Sequence, residues 1–341
     1  MKVRGPLELA RGWVNAPMVF AFVFFASLPM WIGAVGLYSY LGLEVLIWII
    51  FALGYNLLLG YTGLPSFGHG AFLGIGGYCM GWAQHEVSQN IWIGLLGATL
   101  TAALIGAAVA LFISHRRGIY YALLTIALGQ MLFFIANKWT SVTGGEDGML
   151  NIARLPASFG VVSFSLQTNE ALYYFVLGIF IVVTVLLWRV VNSPFGKIIK
   201  AIKQNEERVR YLGYNVYLYK LATFTLSCGL AGLAGGLFAM AQQSAYSQVM
   251  TLQWSGIVVL MTVIGGGFVS FWGPVVGTVV FFVARDVLGT YTETWLLWYG
   301  LMFMAIIMFK PEGIAGIWQD FRRWLKRRKL GVKTGIAGDK L

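Results

Sequence analysis

The hydrophobic positions of this chain form long continuous runs. Residues 221–284 contain no Asp, Glu, Lys or Arg, and about 20 apolar residues are enough to cross a bilayer as a helix. Strands of a membrane barrel would instead show alternating segments of about ten residues. The pattern therefore predicts an all-α integral membrane protein with about ten transmembrane helices. The predicted spans are 16–36, 43–60, 68–84, 91–113, 118–137, 171–191, 217–241, 254–270, 274–289 and 294–310.

Composition and charge support this class and orient the chain. Of the 341 residues, 11% are charged, whereas soluble domains have about 25%. With ten spans and a cytoplasmic N-terminus, all 24 basic residues except Lys138, Arg154 and Arg285 lie on or near the cytoplasmic side, as the positive-inside rule requires. The net charge of +11 is therefore a topology signal, and no nucleic-acid partner is predicted.

This topology places both termini in the cytoplasm. It divides the chain into a cytoplasmic N-terminal segment, a transmembrane domain and a basic cytoplasmic tail, at residues 1–15, 16–310 and 311–341. Membrane lipid is an expected partner of the basic regions.

A basic amphipathic segment, SPFGKIIKAIKQNEERVRYLG at residues 193–213, interrupts the apolar pattern. Ser193 and Pro194 are typical of a helix N-terminus, and Gly213 can adopt the left-handed conformation that ends a helix. The sequence therefore predicts a single helix in a cytoplasmic loop at 193–215. Its apolar positions fall near one face: Ile198, Ile202, Val209 and Leu212. Such a helix either contacts another protein or lies on anionic lipid headgroups.

Glycine and proline interrupt two regions of the predicted spans. Residues 60–81, GYTGLPSFGHGAFLGIGGYCMG, contain eight glycines with Pro65 among them. A second patch runs from Gly265 to Pro274 on the same predicted side. Both patterns predict interrupted helices, whose freed backbone groups can face a polar cavity in transporters. Close packing of helices is the alternative explanation of the glycines.

Residues that carry chemistry are sparse. The sequence has no His/Cys/carboxylate cluster with metal-ligand spacing, no Ser–His–Asp pattern and no Walker A motif, so we expect no catalytic site, metal or cofactor in this chain. Cys79 and Cys228 are predicted to be packing residues within spans. The ionisable residues of the spans lie near predicted outer ends, within reach of water: Glu44, Arg285, Asp286 and Glu293.

Two groups of polar positions are candidates for contact with cargo or partners. Polar residues near the glycine breaks are candidates for a translocation pathway: Asn56, Ser66, His69, Thr125 and Gln130. Hydrogen bonding to neighbouring backbone is the alternative role for such residues in spans. The longest outer loop, at 138–170, has a turn that we expect to meet a partner or to gate the outer mouth, formed by Gly144, Gly145, Glu146 and Asp147.

Five motifs together resemble the LivM-type permeases of branched-chain amino acid ABC importers, in the order of that family and over about residues 40–315. They are GYTGLPSFGHGAFLGIGGY (60–78), GIYYALLTIALGQM (118–131), TGGEDG (143–148), the segment at 193–213 and KPEG (310–313). The resemblance implies a permease of the bacterial inner membrane that is not itself an enzyme. Its implied partners are a second related permease, two cytoplasmic ABC ATPase subunits that bind ATP and Mg, and a periplasmic binding protein on the side of the TGGEDG turn.

The resemblance also identifies the 193–213 segment as the cytoplasmic coupling helix, which docks into a groove of the ATPase. Its pattern A…EE…LG is matched by Ala201, Glu206, Glu207 and Gly213. An apolar ridge would fill the groove and charges would line its rim, so the predicted docking residues are Ile202, Glu206, Glu207, Val209, Leu212 and Gly213. Residues 203–205, Lys-Gln-Asn, depart from the family, in which arginine and acids are frequent.

Alternatives stay open for cargo and for mechanism. The expected cargo is a branched-chain or other hydrophobic amino acid, but related permeases move urea, short amides or aromatic acids. A secondary carrier driven by an ion gradient is the alternative of a different class. The lack of a chain of buried acids in the spans disfavours that carrier.

Overall fold

The computed structural model describes most of the chain, at residues 16–33, 38–158, 163–268, 270–310 and 312–317. The predicted N-terminal segment, 1–15, and most of the predicted basic tail lie outside the described residues.

The structure consists mainly of helices, most of which coincide with the apolar runs. In chain order they are α1 Ala16–Trp31, α2 Ser39–Asn56, α3 Gly70–Trp82, α4 Ile91–Ile113, α5 Gly118–Lys138, α6 Asn169–Asn192, α7 Pro194–Gln204, α8 Glu206–Tyr211, α9 Val216–Gln242, α10 Leu252–Gly265, α11 Gly273–Tyr291 and α12 Trp295–Phe309. Shorter helical turns cover Leu57–Thr62, Ala83–Val87, Thr140–Thr143 and Ser247–Met250.

Several helices are long and apolar enough to cross a membrane. Six described stretches meet this condition: Tyr40–Thr62, Ile91–Ile113, Gly118–Lys138, Asn169–Asn192, Val216–Gln242 and Gly273–Tyr291. Three shorter apolar helices are Pro17–Trp31, Leu252–Gly265 and Trp295–Phe309. The chain is therefore a multi-pass α-helical membrane protein, as predicted; ten crossings and cytoplasmic termini stay predictions.

Helix α2 forms the centre of the bundle, where it contacts α6, α9, α10 and α11. The indole of Trp48 stacks on that of Trp254 in α10, with ring centroids 5.3 Å apart, and Phe51 and Tyr55 are fully buried. Helix α5, in contrast, leaves most of its apolar surface exposed. An apolar face of this kind suits contact with lipid or with another membrane subunit.

Helices α3 and α9 approach each other closely because glycines line their contact. A Cβ atom on Gly76 would overlap the backbone of Gly232, and one on Gly235 would overlap the carbonyl oxygen of Leu73. Close packing through small residues is thus confirmed. The predicted glycines at the start of α3 make a different contact, because Gly70 packs against the turn at 247–250.

Two short antiparallel ladders of two-residue strands accompany the helices and leave the predicted all-α class unchanged. Strand β1, Met149–Leu150, pairs with β4, Ser244–Ala245, and β2, Ala157–Ser158, pairs with β3, Ser163–Phe164. The ladders satisfy backbone groups in the loops that follow α5 and α9. At two residues each, they are too short to show an alternating pattern in the sequence.

The ionisable and sulfur-containing side chains of the spans are mostly packed against other groups. Glu44 is buried, with its Oε1 3.2 Å from Nη1 of Arg285, so Glu44 is paired within the protein and the expectation that water reaches it is wrong. Cys79 and Cys228 are free thiols, as predicted.

Candidate functional site

The amphipathic segment begins and ends as predicted. The Oγ of Ser193 accepts a hydrogen bond from a backbone N–H of the first turn of α7, and Pro194 occupies that turn. Gly213, at the other end, has a φ of +86°, which is the left-handed conformation that favours glycine.

The middle of the segment corrects the prediction of one continuous helix. Helix α7 ends at Gln204 because Asn205 is extended, with φ −159°. The side chain of Asn205 accepts a hydrogen bond from the N–H of Arg208 at 3.0 Å and so caps the start of α8. Asparagine is among the strongest N-cap residues, and here that local preference divides the segment into two helices.

The predicted docking ridge is split between the interior and the surface. Ile202 and Val209 are buried and pack with Val216 of α9, so in this structure they hold the segment to the bundle. Leu212 and its neighbour Tyr211 are exposed, at 70% and 87%. The exposed apolar surface of the segment therefore lies at the end of α8.

Glu206 ties the segment to the bundle through three cations. Its Oε2 lies 2.7 Å from Nζ of Lys220 in α9 and 3.1 Å from Nε of Arg117, which precedes α5. Its Oε1 lies 3.3 Å from Nη2 of Arg210. Glu206 is 12% exposed and Lys220 is 1% exposed, so this pair is largely buried, whereas Arg117 and Arg210 are partly exposed. The adjacent Glu207 is 66% exposed and reaches Arg117 only at 3.5 Å.

Two lysines of α7 point at the ends of the spans. Nζ of Lys203 donates a hydrogen bond to the carbonyl oxygen of Gly60 at 2.7 Å and lies 4.8 Å from the ring centroid of Phe268. Nζ of Lys200 lies 5.1 Å from the ring centroid of Tyr61. Partial removal of water from both ammonium groups lowers the pKa of Lys200 and of Lys203.

The two glycine breaks are in contact with each other. Beyond α2 the chain makes a wider helical turn and then leaves the helix at Gly63, with φ +75°. Helix α10 ends in the same way at Gly266, with φ +85°. A Cβ on Gly60 would lie 2.6 Å from the carbonyl oxygen of Gly267, and the carboxamide of Asn56 lies against both glycines. The predicted interruptions are confirmed, and they form one junction.

Most of the predicted pathway residues are buried in the bundle, and Asn56 lies at this junction. Asn56, Ser66, His69 and Thr125 are all buried, whereas Gln130 lies farther along α5 and is half-buried. Thr125 Oγ1 donates to the carbonyl oxygen of Ala122 at 2.7 Å, which is the backbone-bonding role that its position in a span also allowed. Contact of these residues with cargo stays a prediction.

His69 connects the break to α9. Its Nε2 lies 2.8 Å from Oγ of Ser227, and that hydroxyl donates its one proton to the carbonyl oxygen of Gly54 at 2.8 Å. Nε2 is therefore the donor and Nδ1 the acceptor of the neutral ring. The aromatic rings of Phe51 and Tyr55 enclose the imidazole.

The turn at 144–147 presents acids at the surface. Gly144 and Gly145 both have positive φ, at +76° and +67°, which L side chains rarely adopt. They project Glu146 and Asp147 to the surface, where Glu146 Oε1 is 3.5 Å from Nζ of Lys138. Strand β1 follows directly and anchors the turn to β4. Within the described part of the chain, no group of three or more His, Cys, Asp or Glu residues could hold a metal ion.

Sequence reasoning missed the cations that connect the amphipathic segment to the helix bundle. Lys203 stood out only as a departure from a pattern, and Lys220 only as the last charge before a long neutral stretch. Arg117 is one of two consecutive arginines between spans. Their partners are distant in sequence, so pairing was not visible; a cation next to an otherwise neutral span was the available signal.

The apolar helices, the glycine junction and the fastened amphipathic segment define a multi-pass membrane protein of the permease class. The family model described as "Branched-chain amino acid transport system / permease component" matches residues 37–310, and the chain belongs to this family. The predicted resemblance is thereby confirmed.

The similar proteins include permeases named for different cargoes. The high-affinity branched-chain amino acid transport system permease protein LivM of Salmonella typhimurium is 28% identical over 313 residues, which cover 86% of this chain and 71% of the relative. LivM of Escherichia coli is 27% identical with the same coverage. The nucleoside ABC transporter permease protein NupC of Lactococcus lactis is 28% identical over 196 residues, or 55% of this chain and 59% of the relative. No solved structure matches the chain.

Proposed function

We propose that this chain is the transmembrane permease subunit of an ATP-driven ABC importer that moves branched-chain or other hydrophobic amino acids. The main observation behind this proposal is that the two-helix segment at 194–211 is attached to the junction of the two glycine breaks. Membership of the permease family and the names of the LivM relatives support the assignment of this cargo.

We place the chain in the bacterial inner membrane with ten crossings and both termini in the cytoplasm. The basic residues support this orientation, since α7, α8 and the connection before α5 would then share the cytoplasmic side. Their contacts with one another through Glu206 support a common side as well.

ATP and Mg would bind to two partner ATPase subunits, and a second related permease would complete the membrane part. The outer turn at 144–147 would lie on the side of a periplasmic binding protein, to which Asp147 and Glu146 offer exposed carboxylates. Closure of the ATPase pair would move the segment, and the contacts of the segment with the bundle would transmit that movement to the spans. The transporter would thereby change from an inward-open to an outward-open state.

The binding protein would supply most of the affinity for cargo. Urea, short amides, aromatic acids and nucleosides are the competitors against which branched-chain amino acids should be compared in uptake. The NupC relative supports the inclusion of nucleosides.

Replacing Leu212 with aspartate should release the ATPase subunits. A shallow depression on α8 is lined by Asn205, Glu207, Arg208, Tyr211 and Leu212. Buried apolar anchors at interface centres contribute about 2 kcal/mol or more, which corresponds to about a 30-fold weaker association. The measurement is the amount of ATPase subunit that co-purifies, together with ATP hydrolysis stimulated by the binding protein.

Lys197→Asp is the matched control, because it adds the same acid on the exposed face of α7, outside the depression. It should retain the ATPase subunits. Full retention and normal stimulation in the Leu212→Asp variant would exclude docking at the end of α8.

A further inference from the structure

Lys203 contacts two separate helix ends at once. Its ammonium group donates to the carbonyl oxygen of Gly60 at 2.7 Å and lies over the ring of Phe268, in the turn that follows α10. Its stem passes against Gly63, where a Cβ atom would lie 2.9 Å from Cγ of Lys203. A single side chain of α7 therefore holds the end of α2 to the turn after α10.

The sequence of the break explains why Gly60 needs this donor. In a continuing helical turn its carbonyl oxygen would accept from the N–H of residue 64 or 65. The N–H of Leu64 instead bonds to the carbonyl oxygen of Leu58 at 3.1 Å, and Pro65 has no N–H. Since Gly60 is buried, its acceptor requires a partner, and the ammonium group of Lys203 is that partner.

The joined helix ends enclose the polar side chain of Asn56. The carboxamide of Asn56 lies between Gly60 and Gly267, and a Cβ atom on either glycine would overlap its Oδ1. In the part of the chain that the structure describes, neither polar atom of this carboxamide has a hydrogen-bond partner. Buried polar atoms without partners cost free energy, so separation of the helix ends, which admits water, would relieve that cost.

We propose that Lys203 is the positioning residue that transmits movement of α7 to the joined ends of α2 and α10, and thereby controls access of water and cargo to the buried carboxamide of Asn56. The cargo part of this inference rests on the proposed function. With Lys203 in place the helix ends are locked together. Displacement of α7 withdraws the ammonium group, leaves the Gly60 carbonyl without its donor and frees the two ends to separate.

A cysteine reporter behind the junction tests this role. In the full-length chain with Cys79→Ser and Cys228→Ala, Asn56→Cys places a thiol where the closed ends shield it. Its rate of labelling by a small methanethiosulfonate reagent measures how often they separate. Lys203→Met keeps the apolar stem and removes the charge, whereas Lys203→Arg keeps a charged donor. Lys197→Met, on the exposed face of the same helix, is the control.

We expect Lys203→Met to raise the labelling rate about tenfold, because this variant loses one charge-assisted hydrogen bond. The labelling rate of Lys203→Arg should stay much closer to that of the parent, and the labelling rate of Lys197→Met should equal that of the parent. Lys203→Gln is a second neutral variant whose shorter side chain does not reach Gly60, so it should behave like Lys203→Met. Parental labelling rates in both neutral variants would overturn the proposal.

A second readout separates this inference from the proposed function. In the assembled transporter, Lys203→Met should reduce the cargo moved per ATP hydrolysed while ATP hydrolysis continues. Labelling needs no ATPase subunit. A raised labelling rate in Lys203→Met, together with uptake that does not depend on ATP, would support the role of Lys203 and reject the importer function. ATP-driven uptake, with an unchanged labelling rate and unchanged transport per ATP in Lys203→Met, would reject the role of Lys203 alone.

Discussion

Replacement of Glu206 with alanine will detach α8 from the helix bundle, whereas the same change at Glu207 will leave it in place. The loss of Glu206 leaves Lys220, which is 1% exposed, as an uncompensated buried charge. Removing one partner of a buried ion pair costs about 3–5 kcal/mol. Glu207 is 66% exposed, and exposed ion pairs contribute about 0–1 kcal/mol.

The thermal midpoint of the purified chain and the rate of proteolysis within 205–213 measure this difference. The double variant Glu206→Ala with Lys220→Met should recover part of the lost stability, because it removes the unpaired cation together with the acid. Equal midpoints for the two single glutamate variants would show that the buried cluster does not fix the segment.

Gly235→Ala should destabilise the protein, and Gly229→Ala on the same helix should stabilise it. A Cβ atom on Gly235 would overlap the carbonyl oxygen of Leu73, a backbone atom that cannot rotate away. Overpacking of this kind typically costs about 1–3 kcal/mol. At Gly229 the nearest atom is Cβ of Ala103, at 3.4 Å, so the gain of about 1 kcal/mol from replacing glycine inside a helix can be realised.

Thermal unfolding of the two variants in the same detergent provides the comparison. Opposite signs for the change in midpoint would confirm that α3 and α9 meet backbone to backbone at Gly235. A gain of stability in both variants would contradict that contact.

The spans could be predicted because lipid imposes a simple rule. A run of apolar residues such as 221–241 has to be helical when no water is present to satisfy its backbone, and α9 covers that run. The glycine breaks were also predictable, since Pro65 removes an N–H donor and Gly63 tolerates a left-handed backbone. These are local effects, and the sequence carries them directly.

The parts that could not be predicted depend on pairing between distant residues. The amphipathic face of the segment indicated that Ile202 and Val209 would be covered, but not that Val216 of the same chain covers them. Likewise, Glu206 and Lys203 looked like surface charges, because Lys220 and the orphaned carbonyl of Gly60 become their partners only in the folded bundle.

The break at Asn205 was hidden for a different reason. Two consecutive helices with a one-residue interruption have almost the same periodic pattern as one long helix. The N-cap preference of asparagine was the available signal, and it competed with a strong helical pattern on either side.

The most direct test of the importer function is an inventory of what accompanies this chain in its native membrane. A tagged chain would be solubilised gently and purified, and the co-purifying proteins would be identified and quantified by mass spectrometry, with uptake measured in parallel. We expect two ABC ATPase subunits and a related permease, and uptake that stops when ATP is depleted. Recovery of the chain alone, with uptake that follows an ion gradient and survives ATP depletion, would contradict the importer function.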